Sequence, residues 1–174
     1  RSALTDVDRL TVVAGSDRSR QESVALGLAA LGERDADTVV LVHDAARPLT
    51  PPQVTGRVID AVAGGAGAVI PVLPVTDTLK TVDASGVVVG TPRRSDMVAV
   101  QTPQGFRWDV LIRAHEEGAS LGADEARAAT DDAGLVEAIG GTVHTVAGDE
   151  RSMKVTRPLD LALAQILVAE ETSA

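Results

Sequence analysis

Charged and hydroxyl side chains follow apolar segments at several points in this sequence, and their types suit the handling of phosphate groups. In VLVHDAARP (residues 40–48) an apolar run ends just before Asp44 and Arg47. Two later apolar runs lead to Thr102 and Lys154. Aspartate oxygens suit Mg²⁺ held jointly with phosphates, and arginine and lysine neutralise phosphate charge. This set indicates phosphoryl or nucleotidyl transfer, where catalysis is mostly positioning and charge stabilisation.

Three further residues lie near the predicted starts of helices, which attract anions because their backbone N–H groups are unpaired. They are Arg20, Ser23 and Thr130. Each candidate also has a purely structural interpretation: Asp44 can simply end a strand, Thr130 can cap a helix, and Lys154 can be an exposed loop lysine. The case for a site therefore depends on whether these residues meet at one place.

Composition excludes several classes of function. The chain has 174 residues, a net charge of −9, one Phe and one Trp, so we do not expect a nucleic-acid binder with a basic face and stacking aromatic rings. It has no cysteine, which excludes a disulfide framework and a thiolate metal site. Its three histidines, at positions 43, 115 and 144, lack metal-ligand spacing.

No apolar run approaches the roughly 18 residues that a membrane-spanning helix needs, and no secretory leader is visible. We therefore expect a cytoplasmic protein that does not enter a membrane. The sequence begins at Arg1, and the residues that precede Arg1 in the protein would be the most informative addition to it.

Strand-like and helix-like segments alternate along the chain, which predicts an α/β fold with a mostly parallel sheet and helices on both faces. We interpret residues 1–174 as a single domain. Apolar and β-branched runs predict strands at 10–15, 38–43, 67–75, 97–106 and 142–148. Apolar periodicity predicts helices at 19–32, 50–64, 108–122, 130–141 and 156–171. Ligands of such sheets bind beyond the carboxyl ends of the strands, where the polar candidates fall.

Hydroxyl side chains are expected to cap four of these helices, because a serine or threonine oxygen can accept a hydrogen bond from a free N–H group of the first turn. The four residues are Ser19, Thr50, Thr130 and Thr156. We interpret Asp131 and Asp132 as acids of a first helical turn that suit the helix dipole.

Residues 76–94 differ from the rest of the chain. Their polar alternation, the Ala-Ser-Gly turn at 84–86 and the β-branched run at 87–89 are typical of a β-hairpin. We predict that this segment forms an arm that leaves the body of the domain.

Five motifs occur in one order and at characteristic spacing: VLVHDAARP, DTLK, AVQTPQGF, TDDAGLVE and MKVTRPLDLALAQ. Together they resemble the 2-C-methyl-D-erythritol 4-phosphate cytidylyltransferase family from about Val12 to Leu167. The resemblance implies a Rossmann-like nucleotidyltransferase fold whose projecting β-arm forms a homodimer. It also implies transfer of a cytidylyl group from CTP to methylerythritol phosphate, by in-line attack and without a covalent enzyme intermediate.

The resemblance implies roles for individual residues. Asp44 matches an aspartate near the substrate and a Mg²⁺ ion, and Lys154 matches a lysine that contacts the substrate or the α-phosphate region. Both are therefore expected to be catalytic. Arg20 and Ser23, in RQESV, match an Arg-x-x-Ser motif that contacts the cytidine.

The remaining matched residues are implied to bind the second substrate. Thr102 and Thr130 match threonines that line the methylerythritol phosphate pocket. Arg47, Thr78 and Arg94 match residues that the family supplies to the neighbouring subunit's site, so the arm is expected to reach across a homodimer.

The sequence departs from the family pattern at its start. The family begins with a strand and a Gly-rich loop that cradles the CTP triphosphate, and no such segment is present here; VVAGSDR at 12–18 matches a later segment. We therefore expect the sheet to lack its first strand, with weak triphosphate binding and little turnover. GSDRSRQES is also about a residue longer than the usual family loop, which affects the expected cytidine contacts.

Two alternatives stay open from the residues themselves. One is a sugar-phosphate nucleotidyltransferase of other specificity, since preference for CTP follows from the resemblance alone. The other is a receiver-type signalling domain. In that case Asp44 would be the phospho-acceptor at the end of a strand, and Thr102 and Lys154 would match the threonine and lysine that end later strands of such a domain. Whether Mg²⁺ would contact Asp44 directly or through water is likewise open.

Overall fold

The computed structural model of the chain describes residues 9–118 and 130–172. Within these ranges the helices are α1 (Arg20–Leu31), α2 (Pro52–Ala63), α3 (Trp108–Gly118), α4 (Asp132–Ala138) and α5 (Pro158–Thr172). The strands are β1 (Val39–Val42), β2 (Ala68–Pro74), β3 (Thr81–Val82), β4 (Val88–Gly90), β5 (Val98–Val100), β6 (Gln104–Arg107) and β7 (Val143–Ala147). The α/β fold class predicted from the sequence is confirmed.

Five of the strands form the central sheet. β6 lies between β1 and β2 and is antiparallel to both. β5 is also antiparallel to β2 and pairs with the later residues of that strand. β7 pairs in parallel with the other edge of β2. Consequently β1, β2 and β7 run in one direction, and the segment that contains β5 and β6 runs against them. The carboxyl ends of these three strands therefore lie at the same edge of the sheet.

Helices cover both faces of the sheet, as predicted. On one face α2 packs Val58 and Val62 against Val69 of β2. On the other face the buried cluster consists of Leu28, Ala68, Phe106, Trp108, Leu111, Ala114, Leu135 and Val136, from α1, the sheet, α3 and α4. Ala68 and Val69 are consecutive in β2 and point to opposite faces, as the period of a strand requires.

The arm predicted at 76–94 forms a separate two-stranded sheet of β3 and β4. The Asp83 carboxylate closes the turn by accepting hydrogen bonds from the backbone N–H groups of Ser85 and Val87. The arm exposes Val82, Val87, Val88 and Val89, each by more than half. Four exposed valines on one hairpin form an apolar surface that the described part of the chain does not cover.

The strand predicted at 10–15 is not formed. Among residues 9–118 and 130–172 this segment has no ladder partner, and Leu10, Val12 and Val13 are exposed. An apolar groove of about 380 Å³ separates Thr11 and Val13 from β1, which in the described residues pairs only with β6. A strand needs a neighbour for its backbone hydrogen bonds, and this segment lacks one.

Several predicted boundaries and caps also differ from the structure. The strand predicted at 97–106 is interrupted between β5 and β6, at residues 101–103, which include a cis peptide bond before Pro103. Ser19 caps α1 as expected, by accepting a hydrogen bond from the N–H of Glu22. Helix α3 is described as far as Gly118, and positions 119–122 of the helix predicted there lie outside the described residues.

The other three predicted threonine caps are wrong. Thr50 donates its hydroxyl to the carbonyl of Arg47, and Pro51, at the N-cap position of α2, makes no side-chain cap bond. Asp131, not Thr130, caps α4 by accepting from the N–H of Gly134. In the first turn of α5 the Asp160 carboxylate accepts from the N–H groups of Thr156 and Arg157, which precede the helix. A carboxylate is the stronger acceptor, which explains both replacements.

Helix α5 has a mostly uncovered apolar surface. Its large residues Leu159, Leu161, Leu163, Ile166 and Val168 are exposed, and Ala164 is the buried one. No helix in the described ranges is long and apolar enough to cross a membrane.

Gly105 in β6 lies directly against α2 and leaves no space for a side chain. A Cβ atom at Gly105 would lie 2.3 Å from Cγ1 of Val58 and 3.2 Å from Cγ2 of Val62. We predict that Gly105→Ala lowers the free energy of unfolding by about 1–3 kcal/mol, because overpacking forces these buried side chains apart. Urea denaturation measures this change.

Gly56→Ala in α2 is the matched control. No atom lies within 4 Å of a Cβ at this position. Alanine is the better helix former, so the control should raise stability by up to about 1 kcal/mol. Equal stability of Gly105→Ala and the unsubstituted protein would contradict the close packing of α2 against β6.

Candidate functional site

Asp44 and Lys154, distant in sequence, are in direct contact. Asp44 lies just beyond β1, and Lys154 lies beyond β7, after a short 3₁₀ turn at Glu150–Ser152. The Lys154 Nζ is 3.0 Å from Oδ2 of Asp44. The two loops are also joined by a backbone hydrogen bond of 2.8 Å from the N–H of Val155 to the carbonyl of Ala46. The parallel directions of β1 and β7 bring these loops to the same edge of the sheet.

Arg47 lies on the inner side of the same loop. Its guanidinium donates to the carbonyl of Ser152 at 2.6 Å and to that of Val100 at 3.4 Å. Its Nε is 3.9 Å from Oδ2 of Asp44, and the side chain is 12% exposed. Arg47 therefore holds three segments together within one chain while it also places a positive charge near Asp44.

Arg20 is the first residue of α1 and connects two carboxylates. Its Nη1 is 2.6 Å from Oδ2 of Asp132, and its Nε is 3.7 Å from Oδ1 of Asp44. Asp132, the first residue of α4, is fully buried, and His115 of α3 lies 3.0 Å from its other carboxylate oxygen. An ionised carboxylate only accepts hydrogen bonds, so the Nε2 of His115 must be the donor.

Thr102 fixes the backbone of the Asp44 loop. Its hydroxyl oxygen accepts from the N–H of Asp44 at 3.1 Å and lies 2.9 Å from Nδ1 of His43. The Nε2 of His43 lies 3.3 Å from the carbonyl of Arg47, which can only accept. His43 therefore donates a hydrogen bond from Nε2 to the Arg47 carbonyl and accepts one at Nδ1 from the Thr102 hydroxyl group. The interruption between β5 and β6 puts Thr102 in this position.

Two buried glutamines brace the surrounding loops. The amide of Gln101 exchanges two hydrogen bonds with the backbone of Asp149, at 2.8 and 3.0 Å. Gln104 donates to the Asp131 carboxylate at 2.7 Å and accepts from the N–H of Ala133 at 3.2 Å. They fix the loop after β7 and the start of α4 to the β5–β6 segment.

The pKa values of both site aspartates are lowered. Partial burial raises the pKa of Asp44, but the hydrogen bond and charge of Lys154, with the charges of Arg20 and Arg47, outweigh it. Burial also raises the pKa of Asp132, and its two partners more than offset that effect. Because both pKa values lie lower in the folded than in the unfolded chain, these carboxylates stabilise the fold at neutral pH, and that contribution is lost as the pH falls through the folded value.

Four of the residues predicted for the site make no side-chain hydrogen bond or ion pair with Asp44 or its cationic partners within the described ranges. The Ser23 hydroxyl accepts from the N–H of Ser16 at 3.0 Å and closes the loop before α1. Arg94 donates to the carbonyl of Thr76 at 2.8 Å at the base of the arm. Thr78 and Thr130 are exposed, and within the described ranges their side chains make no hydrogen bond with the Asp44 cluster.

Asp132 and His115 are the residues that sequence interpretation missed. Asp132 was assigned to the helix dipole, yet it is a buried ion-pair partner of Arg20. The hydrogen bond between Arg20 and Asp132 joins residues that are 112 positions apart in the sequence. Local spacing carries no signal for such a contact.

The arrangement can hold an anion. Lys154 and Arg20 have exposed side-chain fractions of 47% and 35%, whereas Asp44 is only 18% exposed. The accessible groups are thus the two cations, and their charges converge in a chain whose net charge is −9. Cations with low-dielectric walls raise the local concentration of anionic ligands.

A receiver-type domain would need further acids beside Asp44 to hold its metal ion. In the described part of the chain no three histidine, aspartate or glutamate side chains are grouped so that they could hold a metal. The neighbours of Asp44 are cations instead. A single carboxylate fits Mg²⁺ only where substrate phosphates and water supply the remaining ligands, which is how Mg²⁺ is commonly bound.

Known proteins with the same pattern were found by sequence. The profile of the 2-C-methyl-D-erythritol 4-phosphate cytidylyltransferase family matches residues 1–170. A protein of that name from Rhodococcus jostii is 52% identical over 161 residues, which are 92% of this chain and 66% of the relative. One from Frankia casuarinae is 54% identical over 158 residues, which are 91% of this chain and 56% of the relative. The chain thus spans somewhat less than two thirds of the length of these curated relatives.

Solved structures agree with the sequence match. The crystal structure of 2-C-methyl-D-erythritol 4-phosphate cytidylyltransferase from Thermus thermophilus is 39% identical, with a TM-score of 0.74 over 89% of this chain and 71% of that chain. That of 4-diphosphocytidyl-2C-methyl-D-erythritol synthase from Anaerococcus prevotii is 29% identical, with a TM-score of 0.83 over 97% of this chain and 74% of that chain. With the fold, the motifs and the profile in agreement, this chain belongs to the 2-C-methyl-D-erythritol 4-phosphate cytidylyltransferase family.

Proposed function

We propose that the protein transfers the cytidylyl group of CTP to 2-C-methyl-D-erythritol 4-phosphate, giving the CDP-linked methylerythritol and pyrophosphate. Family membership supports the choice of substrates. The observation that carries the chemistry is the contact between Lys154 and Asp44, 3.0 Å apart, with Arg20 and Arg47 beside them. We further propose that the reaction takes place in the cytoplasm.

The reaction is an in-line displacement at phosphorus. An oxygen of the 4-phosphate attacks the α-phosphorus of CTP, the new P–O bond forms, and the bond to the pyrophosphate leaving group breaks. The nucleophile is already an anion, so no strong general base is needed. The barrier instead lies in bringing two polyanions together and in the charge that develops at the α-phosphate.

Lys154 is the side chain best placed to neutralise that charge. It is the most exposed cation of the cluster, and Asp44 holds its ammonium group at a fixed position without covering it. Arg20 supplies a second accessible cation, and in this proposal Ser23 keeps the loop before α1 in place for the cytidine. Thr102, through the backbone N–H of Asp44, keeps the carboxylate aligned, and with Thr130 it lines the methylerythritol phosphate pocket.

We propose Mg²⁺ as the metal of this reaction, with Asp44 as the protein ligand. When bound together with phosphate oxygens, Mg²⁺ shields their negative charge and orients them. Within the chain itself, the Asp44 carboxylate is kept ionised by its three cationic neighbours, so it is available as a ligand at neutral pH.

We propose that the arm forms a homodimer and delivers residues to the neighbouring site. Its exposed valines provide an apolar surface of the kind that dimers bury. Thr78 and Arg94 lie at the base of the arm and are exposed, without a contact to the Asp44 cluster of their own chain in the described residues. Arg47 contacts its own chain's loops, and we propose that in the dimer it serves the neighbouring subunit's site.

We also propose that activity requires the strand and Gly-rich loop that the family resemblance implies. The groove lies beside β1, and in the described residues one edge of β1 is unpaired. Exposed apolar residues at 10–13 and on α5 would gain cover from such a unit. The assays below therefore use the full-length protein.

The function is tested by pyrophosphate release from CTP. We expect release only when methylerythritol phosphate and Mg²⁺ are both present. Release with sugar phosphates instead of methylerythritol phosphate would assign the protein to the general sugar nucleotidyltransferases.

Lys154→Ala is expected to impair the same reaction. In the pyrophosphate-release assay this substitution should lower kcat by well over tenfold, because it removes charge stabilisation in the transition state.

Arg107→Ala is the matched control for Lys154→Ala. It also removes one cation, but Arg107 pairs with Asp109 at 2.9 Å, at the end of β6 remote from Gln104 and the site. Its kcat should equal that of the unsubstituted protein. An unaltered rate for Lys154→Ala would show that the proposed site is misplaced.

The arm proposal predicts complementation between subunits. Lys154→Ala and Arg94→Ala homodimers should each be strongly impaired. When the two variants are mixed and allowed to exchange subunits, each hybrid dimer carries one intact site, so about a quarter of the full activity should return for random exchange. No recovery despite demonstrated subunit exchange would mean that Arg94 acts in its own chain's site.

A further inference from the structure

We propose that His115 and Asp132 are positioning residues that act through Arg20 and hold its guanidinium at the Asp44 edge of the sheet. This inference rests on the proposed function, because Arg20 is expected to face the nucleotide. It adds two residues, from α3 and α4, whose part in the reaction neither spacing nor motif indicated.

The first step is the burial of Asp132. Its side chain is 0% exposed, and an ionised carboxylate in that setting must be compensated by charge or hydrogen bonds. Arg20 provides the charge on one oxygen at 2.6 Å, and His115 provides a hydrogen bond on the other at 3.0 Å. Each partner therefore limits how the carboxylate can rotate.

The second step is the rigidity of the elements that carry this pair. Leu135 and Val136 of α4 pack with Leu111 and Ala114 of α3 in the buried cluster. His115 itself is only 9% exposed. An anchor on packed helices fixes a functional side chain more closely than an anchor on a loop does.

The third step is what the anchor does to Arg20. A free arginine side chain loses rotamer entropy when it is immobilised. Asp132 has already fixed Nη1 in the folded chain, so the Nε edge stays directed at Asp44, 3.7 Å away. An arginine held in this way does not have to be ordered when substrate binds, which lowers the cost of binding.

The proposal is tested by replacing His115 with glutamine or with asparagine, two amide side chains that differ in length. The Nε2 of glutamine can occupy the place of the histidine Nε2 and donate to Asp132, whereas asparagine is too short. We expect His115→Gln to keep kcat/KM within about threefold and His115→Asn to lower it by about tenfold or more, since small misplacements of a functional group are costly. His144→Asn, at an exposed position of β7, should leave kcat/KM unchanged.

A double substitution separates positioning through Arg20 from a general structural role. In the Arg20→Ala background the further change His115→Asn should produce no additional loss of kcat/KM, because the group being positioned is gone. Losses that multiply, or equal activity of His115→Gln and His115→Asn, would overturn the proposal.

A readout without turnover keeps this proposal distinct from the proposed function. In ¹⁵N-edited NMR the Nε–H signal of Arg20, assigned by its loss in Arg20→Lys, should be sharp in the unsubstituted protein and in His115→Gln. It should broaden in His115→Asn and in Asp132→Asn. Unchanged signals in both would refute the positioning role even if the enzyme is active, and sharp signals with no pyrophosphate release would refute only the proposed function.

Discussion

The structure of the site depends on one carboxylate that is surrounded by cations. Lys154, Arg20 and Arg47 each place a nitrogen within 4 Å of Asp44, at 3.0, 3.7 and 3.9 Å. Without Asp44 three positive groups would face one another in a partly buried space and repel. With it they stay close together, and two of them remain accessible. The site can therefore attract a phosphate group in a protein whose net charge is −9.

The sheet determines that these groups meet. Asp44 and Lys154 follow strands that run in the same direction. The β5–β6 segment runs antiparallel to these strands, and Thr102 lies in it, between β5 and β6. Buried Gln101 and Gln104 then fix the adjoining loops by hydrogen bonds to backbone and carboxylate groups. Such buried polar bonds are costly to break, since each would leave an unsatisfied group. They restrict the position of the site without taking part in the chemistry.

Much of this could be predicted from the sequence because the signals were local. Apolar and β-branched runs indicated the positions of β1, β2 and β7, the polar hairpin pattern indicated the arm, and Ser19 was identified as a cap. The strand at 10–15 was wrong because an apolar run forms a strand only where it pairs with a neighbouring edge. Here a groove lies between this segment and β1, which local sequence does not reveal. The caps at Thr50 and Thr130 were wrong because a competing partner, Arg47 or Asp131, lay within three residues.

The buried network beyond Arg20 could not be predicted in the same way. Asp132 in a first helical turn looks identical in sequence whether it faces solvent or the core. Its burial follows from the packing of α4 against α3, and its ionised state follows from partners on two other helices. A charge of this kind is recognised only after the tertiary contacts are known.

The protonation of the Asp44 carboxyl group tests the central claim most directly. In protein labelled with ¹³C at the aspartate carboxyl carbon, the signal of Asp44, assigned by its loss in Asp44→Asn, can be followed by NMR as the pH falls. We expect the Asp44 carboxyl group to have a pKa below the ordinary aspartate value of about 3.9, and a higher pKa in Lys154→Ala, where the largest lowering influence is absent. An ordinary pKa in the unsubstituted protein, or the same pKa in both proteins, would contradict it.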